Sequence, residues 1–191
     1  MAQDTDTSDL TGRVLIAMPG MADPRFHASV VYLCAHSADG ALGLIVNRPS
    51  PELRFRDLLQ QLGIEAGPGG RDIAVHFGGP VEHARGFVLH SAEYATRAST
   101  LKVDDRVALT ATLDVLEALA KGEGPTQAML ALGYAGWGPG QLEAEIAANG
   151  WLVGDATDAI VFGDDDGRKW SAALKGLGIE AATLSGAAGR A

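Results

Sequence analysis

The stretch from Ser29 to Asn47 constrains the fold most. Two apolar runs, Ser29–Ala35 and Ala41–Asn47, are separated by Ala38-Asp39-Gly40. Asp-Gly tolerates the positive φ angles of a tight turn, so the runs are expected to pair as an antiparallel hairpin. Further short apolar runs bounded by turn residues read as strands: Gly12–Met18 before Pro19-Gly20, Ile73–Phe77 before Gly78-Gly79-Pro80, then Gly86–His90 and Arg106–Thr110. Asp23-Pro24 suggests a turn opening one helical turn through Phe26. Leu53–Leu62 has mostly helical apolar spacing and a stop at Gly63, while the Gly-rich segment Glu65–Asp72 reads as a loop. Thr96–Asp105 reads as irregular. Three helices are expected next, over Leu113–Ala120, Pro125–Leu132 and Pro139–Asn149, each with a cap, an opening Pro or a following Gly. Trp151–Val153 and Ala159–Phe162 read as strands, and Arg168–Leu174 as a last helix whose start is favoured by the carboxylates of Asp164-Asp165-Asp166. Strands crowd the first half and helices the second, without steady alternation. That pattern predicts an α+β fold and not a doubly wound parallel sheet.

A chain of 191 residues is expected to form one domain and to bury roughly 70% of its unfolded surface, so it needs no disulfide or metal to fold. The one cysteine, Cys34, lies inside an apolar run and reads as a buried, inert thiol. The first nine residues are polar and acidic, unlike a secretory signal, and read as a frayed tail; 186–191 reads as a flexible one. No apolar stretch is long enough for a membrane helix, and absence of both signals points to the cytosol. The formal net charge is −9, and the densest basic stretch, Arg48–Arg56, holds three Arg and one Glu. Direct nucleic-acid binding is therefore not expected, because it depends on clustered Lys and Arg displacing counterions.

No motif for catalysis or metal binding passes its geometric test. The Gly-rich segment Gly133–Gly140 lacks the Lys of a phosphate loop and reads as a tight helix–helix connection with Trp137 packed in the core. His76, His83 and His90 have no cysteine beside them and no metal-site spacing, so they read as hydrogen-bonded core histidines. Ser91 follows His90, but neighbouring strand residues point to opposite faces and cannot form a nucleophile–base pair. Asp164-Asp165-Asp166-Gly167 lacks the alternate carboxylates and distal Glu of a calcium loop. No metal and no cofactor are expected.

Several blocks resemble the AlgH/YqgE family, in order from about residue 10 to 185. They are Gly12-Arg13-Val14-Leu15-Ile16-Ala17-Met18-Pro19-Gly20-Met21 with Asp23-Pro24 and Phe26, then Gly43-Leu44-Ile45-Val46-Asn47-Arg48-Pro49. Gly78-Gly79-Pro80-Val81 with Gly86-Phe87-Val88-Leu89-His90 follows. Leu132-Gly133-Tyr134-Ala135-Gly136-Trp137, Gly140-Gln141-Leu142-Glu143, Glu145-Ile146, Asn149 and Trp151 form the most specific block. The resemblance implies a compact single domain over 10–185 with a small closed or bifurcated, mainly antiparallel sheet surrounded by helices. It implies a bacterial, cytosolic protein; some members are called transcriptional regulators and others proteins of unknown function. It carries no settled catalytic residues.

Two functions from different classes follow. In the first, the chain is a non-enzymatic regulator acting through a protein partner and not by direct DNA contact. In the second, it is a small-ligand sensor or enzyme with a cleft built from Asn47, Arg48, Gly78, Gly79, His90 and Trp137, all at strand ends and loops where function concentrates. Arg48 would clamp a carboxylate or phosphate there. The cleft requires Arg48 to lie within about 15 Å of the Gly78-Gly79 turn, because groups cradling one small ligand must converge.

Overall fold

In a computed structural model of the chain, residues 9–96 and 99–184 are described. The expected tails over 1–9 and 186–191 fall, apart from Asp9, outside them. The first strands are β1 (Arg13–Ala17), β2 (Val30–Ser37) and β3 (Gly40–Ile45), with a 3-10 turn at Pro24–Phe26. β2 and β3 form the expected antiparallel hairpin, with Ser37 opposite Gly40 across its turn. Then come α1 (Phe55–Gln61), β4 (Ala74–Phe77), β5 (Val81–Ser91), β6 (Thr100–Lys102), β7 (Val107–Thr110) and α2 (Leu113–Ala120). The last part holds β8 (Ala128–Trp137), α3 (Gln141–Ala147), β9 (Trp151–Asp155), α4 (Asp158–Phe162), α5 (Asp166–Gly176) and α6 (Ala181–Leu184). The strands form one sheet in the order β6-β7-β5-β8-β3-β2-β1-β9, with β4 pairing β8 off that path. Every pairing is antiparallel except β4 with β8. The fold is α+β, as expected.

Three local expectations are corrected. Pro125–Leu132 is no helix: its second half begins β8, which runs on through the segment expected to connect two helices. Ala159–Phe162 is helical, because the Thr157 side chain accepts the Ile160 N–H and starts α4. The stretch expected to be irregular contains β6, which pairs with β7.

Side-chain alternation sorts the core into layers. Val14 and Ile16, Val30 and Tyr32, Leu44 and Val46, Phe87 and Leu89 point to one face of the sheet. There they meet Ile160 and Val161 of α4 and Ala173 and Leu174 of α5. The opposite face is covered in two separate patches. α1 and α2 pack over Val75, Val88 and Leu130, and α3 packs over Leu15, Val31, Leu33 and Ile45. Each such aliphatic side chain, fully buried, contributes about 1.5–3 kcal/mol before chain entropy opposes it.

The phase of β8 changes midway. Met129 and Ala131 face the α4/α5 side, but Ala135 and Trp137 face the α3 side. Gly133 lies between them with φ +74°, so one left-handed residue reverses the alternation. This reversal puts Trp137 on the same face as α3 and the Phe26 turn.

Candidate functional site

The turn between β1 and β2 builds one wall of a cleft. Asp23 accepts the Arg25 N–H and caps the 3-10 turn, and its carboxylate pairs with the Arg25 guanidinium at 2.7 Å. That hydrogen bond from Arg25 holds the Asp23 carboxyl below the usual range, against a small opposing effect of burial. Phe26 is thereby held against two indoles. Its ring lies 5.6 Å from Trp151, edge-on, and 6.4 Å from Trp137, nearly parallel. The two indoles meet edge-on at 6.0 Å. Trp137 ends β8 beside Ala41 of β3, and Trp151 begins β9 beside Ala17 of β1, so the sheet fixes both. Glu145 on α3 braces them together: its Oε2 accepts from Trp137 Nε1 at 2.6 Å and Trp151 Nε1 at 3.1 Å. The cleft has a volume of about 180 Å³ and is also lined by Met21, Pro80, Val81 and Gln141.

The site residues expected from sequence divide into three groups. Asn47 and Arg48 hold the turn that carries Phe26. Asn47 Oδ1 accepts the Val30 N–H and Nδ2 donates to the Ala28 carbonyl, both at 2.9 Å. The Arg48 guanidinium donates to the carbonyls of Arg25 and His27 and to Ser29 Oγ. Between these anchors Ala28 has φ +53°, a left-handed conformation costing about 1–2 kcal/mol for a residue with a Cβ. Such strain persists only where surrounding bonds over-determine it, and Asn47 and Arg48 supply those bonds.

Gly78 and Gly79 lie at the same corner. The Phe77 N–H donates to the Arg48 carbonyl at 2.8 Å, and the Ile45 N–H to the Gly78 carbonyl at 2.9 Å. The two glycines make room for the chain's own backbone. A Cβ at Gly78 would stand 2.3 Å from the Gly133 carbonyl oxygen, and one at Gly79 2.0 Å from the Tyr134 carbonyl carbon. Beyond them Pro80 and Val81 join Trp137 in lining the cleft.

His90 is elsewhere. It sits opposite Ala128 at the far end of β8, about 13 Å along the strand from the Leu132 level where Gly78 bonds. It is fully buried; Nδ1 donates to the Ser91 carbonyl, which leaves Nε2 to accept from the Thr110 hydroxyl at 2.8 Å. Burial pushes its pKa down, with that carbonyl bond and Glu93 opposing.

A second cluster carries no local sequence signal. His76 on β4 faces α5, where its Nε2 lies 2.9 Å from Asp166 Oδ2, ninety residues along the chain. Asp166 Oδ1 is 2.9 Å from Lys169 Nζ, which also donates to the Val46 carbonyl at 2.8 Å. Burial alone would raise the Asp166 carboxyl; the hydrogen bonds from His76 and Lys169 and their charges outweigh it, and the net shift is downward. Sequence reading placed His76 as a core histidine and Asp166 at a helix start, and neither position announces the other. Among the described residues no group of three or more His, Cys, Asp or Glu is placed to hold a metal ion, and no helix is long and apolar enough to cross a membrane.

Residues 14–182 match the family described as AlgH-like. A UPF0301 protein of Paracoccus denitrificans is 59% identical over 187 residues, covering 97% of this chain and 98% of its own. One of Cereibacter sphaeroides is 56% identical over 183 residues, 96% of this chain and all of its own. Among solved structures, the AlgH protein from Pseudomonas aeruginosa superposes with a TM-score of 0.78 at 41% identity over the full length of both chains. A Corynebacterium diphtheriae protein at 22% identity, with a TM-score of 0.67 over 86% of this chain and 85% of its own, shares the fold. With the family match spanning most of the chain and relatives more than half identical over nearly all of it, the chain belongs to the AlgH-like family.

Proposed function

We propose that the protein is a regulator of gene expression in the bacterial cytosol, acting through a protein partner and not on DNA directly. The observation that carries this reading is the cleft of Phe26, Trp137 and Trp151. At about 180 Å³ it falls below the 300–1,000 Å³ of pockets that enclose a whole metabolite. It has the size for one or two apolar side chains, and aromatic rings in a fixed frame are what anchors such a segment. The chain's formal net charge of −9 disfavours phosphate backbones. The same reading takes the sheet as forked at β8, the cleft belonging to the β3 branch; the pairing of β4 with β8 off the main strand path supports it. The competing reading, a small-ligand cleft or enzyme around Asn47, Arg48, Gly78, Gly79 and His90, has less support. Asn47 and Arg48 already bond the chain's own backbone, and His90 lies away from them.

A photo-crosslinking amino acid at Gln141, on the cleft rim, tests the proposal in the native host. One defined protein adduct is expected, lost on Trp137→Ala and also on Val81→Glu, which puts a charge in the mouth at an exposed position. Adducts indifferent to both changes would overturn it. So would purified protein binding DNA with an affinity that falls steeply with salt.

A further inference from the structure

The aromatic cleft carries a charge as well as rings, and that charge narrows what a partner presents to it. Glu145, half-buried, lines the cleft from the last turn of α3. The partial charge at that end of a helix is negative, and no basic residue lies in the turn to offset it. Glu145 Oε2 accepts from the indoles of Trp137 and Trp151, which are neutral donors. Oε1 has no hydrogen-bond partner among the described residues, yet it is not sealed from solvent. It is bonded to the same carbon as Oε2, so it too stands beside the two indoles.

The other charges of the cleft cancel. Asp23 and Arg25 both line it, but Arg25 turns Nε and Nη2 onto the Asp23 carboxylate at 3.0 and 2.7 Å. Gln141 is neutral, and its Oε1 accepts the Gly138 N–H at 3.0 Å. What remains for an incoming side chain is three aromatic rings and one carboxylate oxygen with no cation paired to it.

We propose, on the reading of this cleft as a partner site, that the partner inserts a lysine, whose ammonium donates to Glu145 Oε1. The apolar body that fills the cleft is then the lysine stem, which packs on apolar surface while its head keeps a polar contact. The rings add to the attraction of a cation. An acidic side chain would meet Glu145 as a like charge. A wholly apolar one would cover Oε1 and strip its water without replacing it. Arginine fits less well, because its planar fork is suited to both oxygens of a carboxylate and Oε2 already serves two indoles. An ammonium is a point charge and needs only the free one.

The test titrates the ¹⁵N-labelled full chain with Nα-acetyl-lysine methylamide and follows the indole N–H signals of Trp137 and Trp151 by NMR. The norleucine and arginine analogues are separate arms; norleucine keeps the stem and lacks the ammonium. Lysine should shift both indoles saturably and bind about tenfold more tightly than norleucine. Arginine should bind more weakly than lysine. Glu145→Gln keeps an oxygen for the indoles but removes the charge, and should erase the preference for lysine; if that variant does not fold, the three probes on the parent decide. Norleucine or arginine binding as tightly as lysine, no saturable shift with lysine, or a preference that survives in Glu145→Gln would overturn the inference. Should the adduct at Gln141 form while the probes fail, the partner reading stands and the lysine alone falls. Should no adduct form, the partner reading falls and takes the partner's lysine with it.

Discussion

At the residue scale, burial decides chemistry that composition leaves open. Cys34 is 2% exposed, and burial pushes its thiol up to about 12. The thiolate is the reactive form, so the native protein should react with a disulfide reagent no faster than it unfolds. Stopped-flow labelling in rising urea checks this, and rapid labelling without urea would contradict it. Glu93 shows the opposite case. Burial would raise its carboxyl, but the Thr126 N–H and the Ser91 hydroxyl outweigh that and bring it down to about 2 from an ordinary 4.5. A depressed folded-state value contributes stability above pH 4.5 and loses it as pH falls towards 2. Glu93→Gln should therefore lower the urea midpoint modestly at pH 7, solvent screening keeping the effect small, and the gap to the parent should close between pH 4.5 and 2. A gap independent of pH would assign the effect to packing alone. The inert Cys34 was legible because its neighbours are apolar. The roles of Asn47 and Arg48 were not. A strand-end Arg offers the same donors to a ligand or to its own chain, and only the fold brings the carbonyls of Arg25 and His27 within reach.

At the scale of elements, β8 explains the misreading of Pro125–Leu132 and of the segment after it. Ala128–Leu132 is flanked by β5 and β4 and covered on both faces, so it shows no polar alternation. A buried run of Ala, Met and Leu cannot be told from a short helix by its period, and Pro125 and Gly133 mimic helix ends. The hairpin of β2 and β3 was legible because its turn chemistry is local. α4 was misread for the converse reason: Ile160-Val161-Phe162 favour strands, but the Thr157 cap and burial against the sheet override that weak preference. The reversal at Gly133 gives a sharp prediction. Gly133 and Gly140 have nearly equal φ, +74° and +73°. A Cβ at Gly133 would stand 2.4 Å from the Gly79 carbonyl oxygen, whereas one at Gly140 meets nothing within 4 Å. Gly140→Ala should cost about 1–2 kcal/mol, the left-handed penalty alone. Gly133→Ala adds an overlap with backbone and should cost about 3 kcal/mol or more. Urea denaturation of both variants checks the difference, and equal costs would mean that φ, not the close approach of the Gly79 and Val81 backbone, governs the position.

At the scale of the molecule, the question is whether the two outer patches unfold separately. The patch under α1 and α2 and the patch under α3 share no buried residue, which would allow two cooperative units. The face packed on α4 and α5 argues against it. That one cluster draws Phe87, Leu89 and Val107 from one end of the sheet and Val14, Tyr32 and Leu44 from the other. α5 adds ties at the second end, through Lys169 to the Val46 carbonyl and Trp170 Nε1 to the Ala17 carbonyl at 2.8 Å. Losing either end therefore exposes a core that the other also needs. The placement of the tryptophans makes this testable. Trp137 and Trp151 pack in the α3 patch, and Trp170 bonds to β1, so all three report on the second end. Leu119 is fully buried under α2, in the patch none of them joins. Leu119→Ala should cost about 2–5 kcal/mol. If the sheet unfolds as one unit, the urea transition seen by tryptophan fluorescence should move with the circular dichroism transition and by the same amount. A fluorescence midpoint that stays in place while the dichroism curve splits would mean that the α1/α2 end melts alone, and that the shared face does not couple the two.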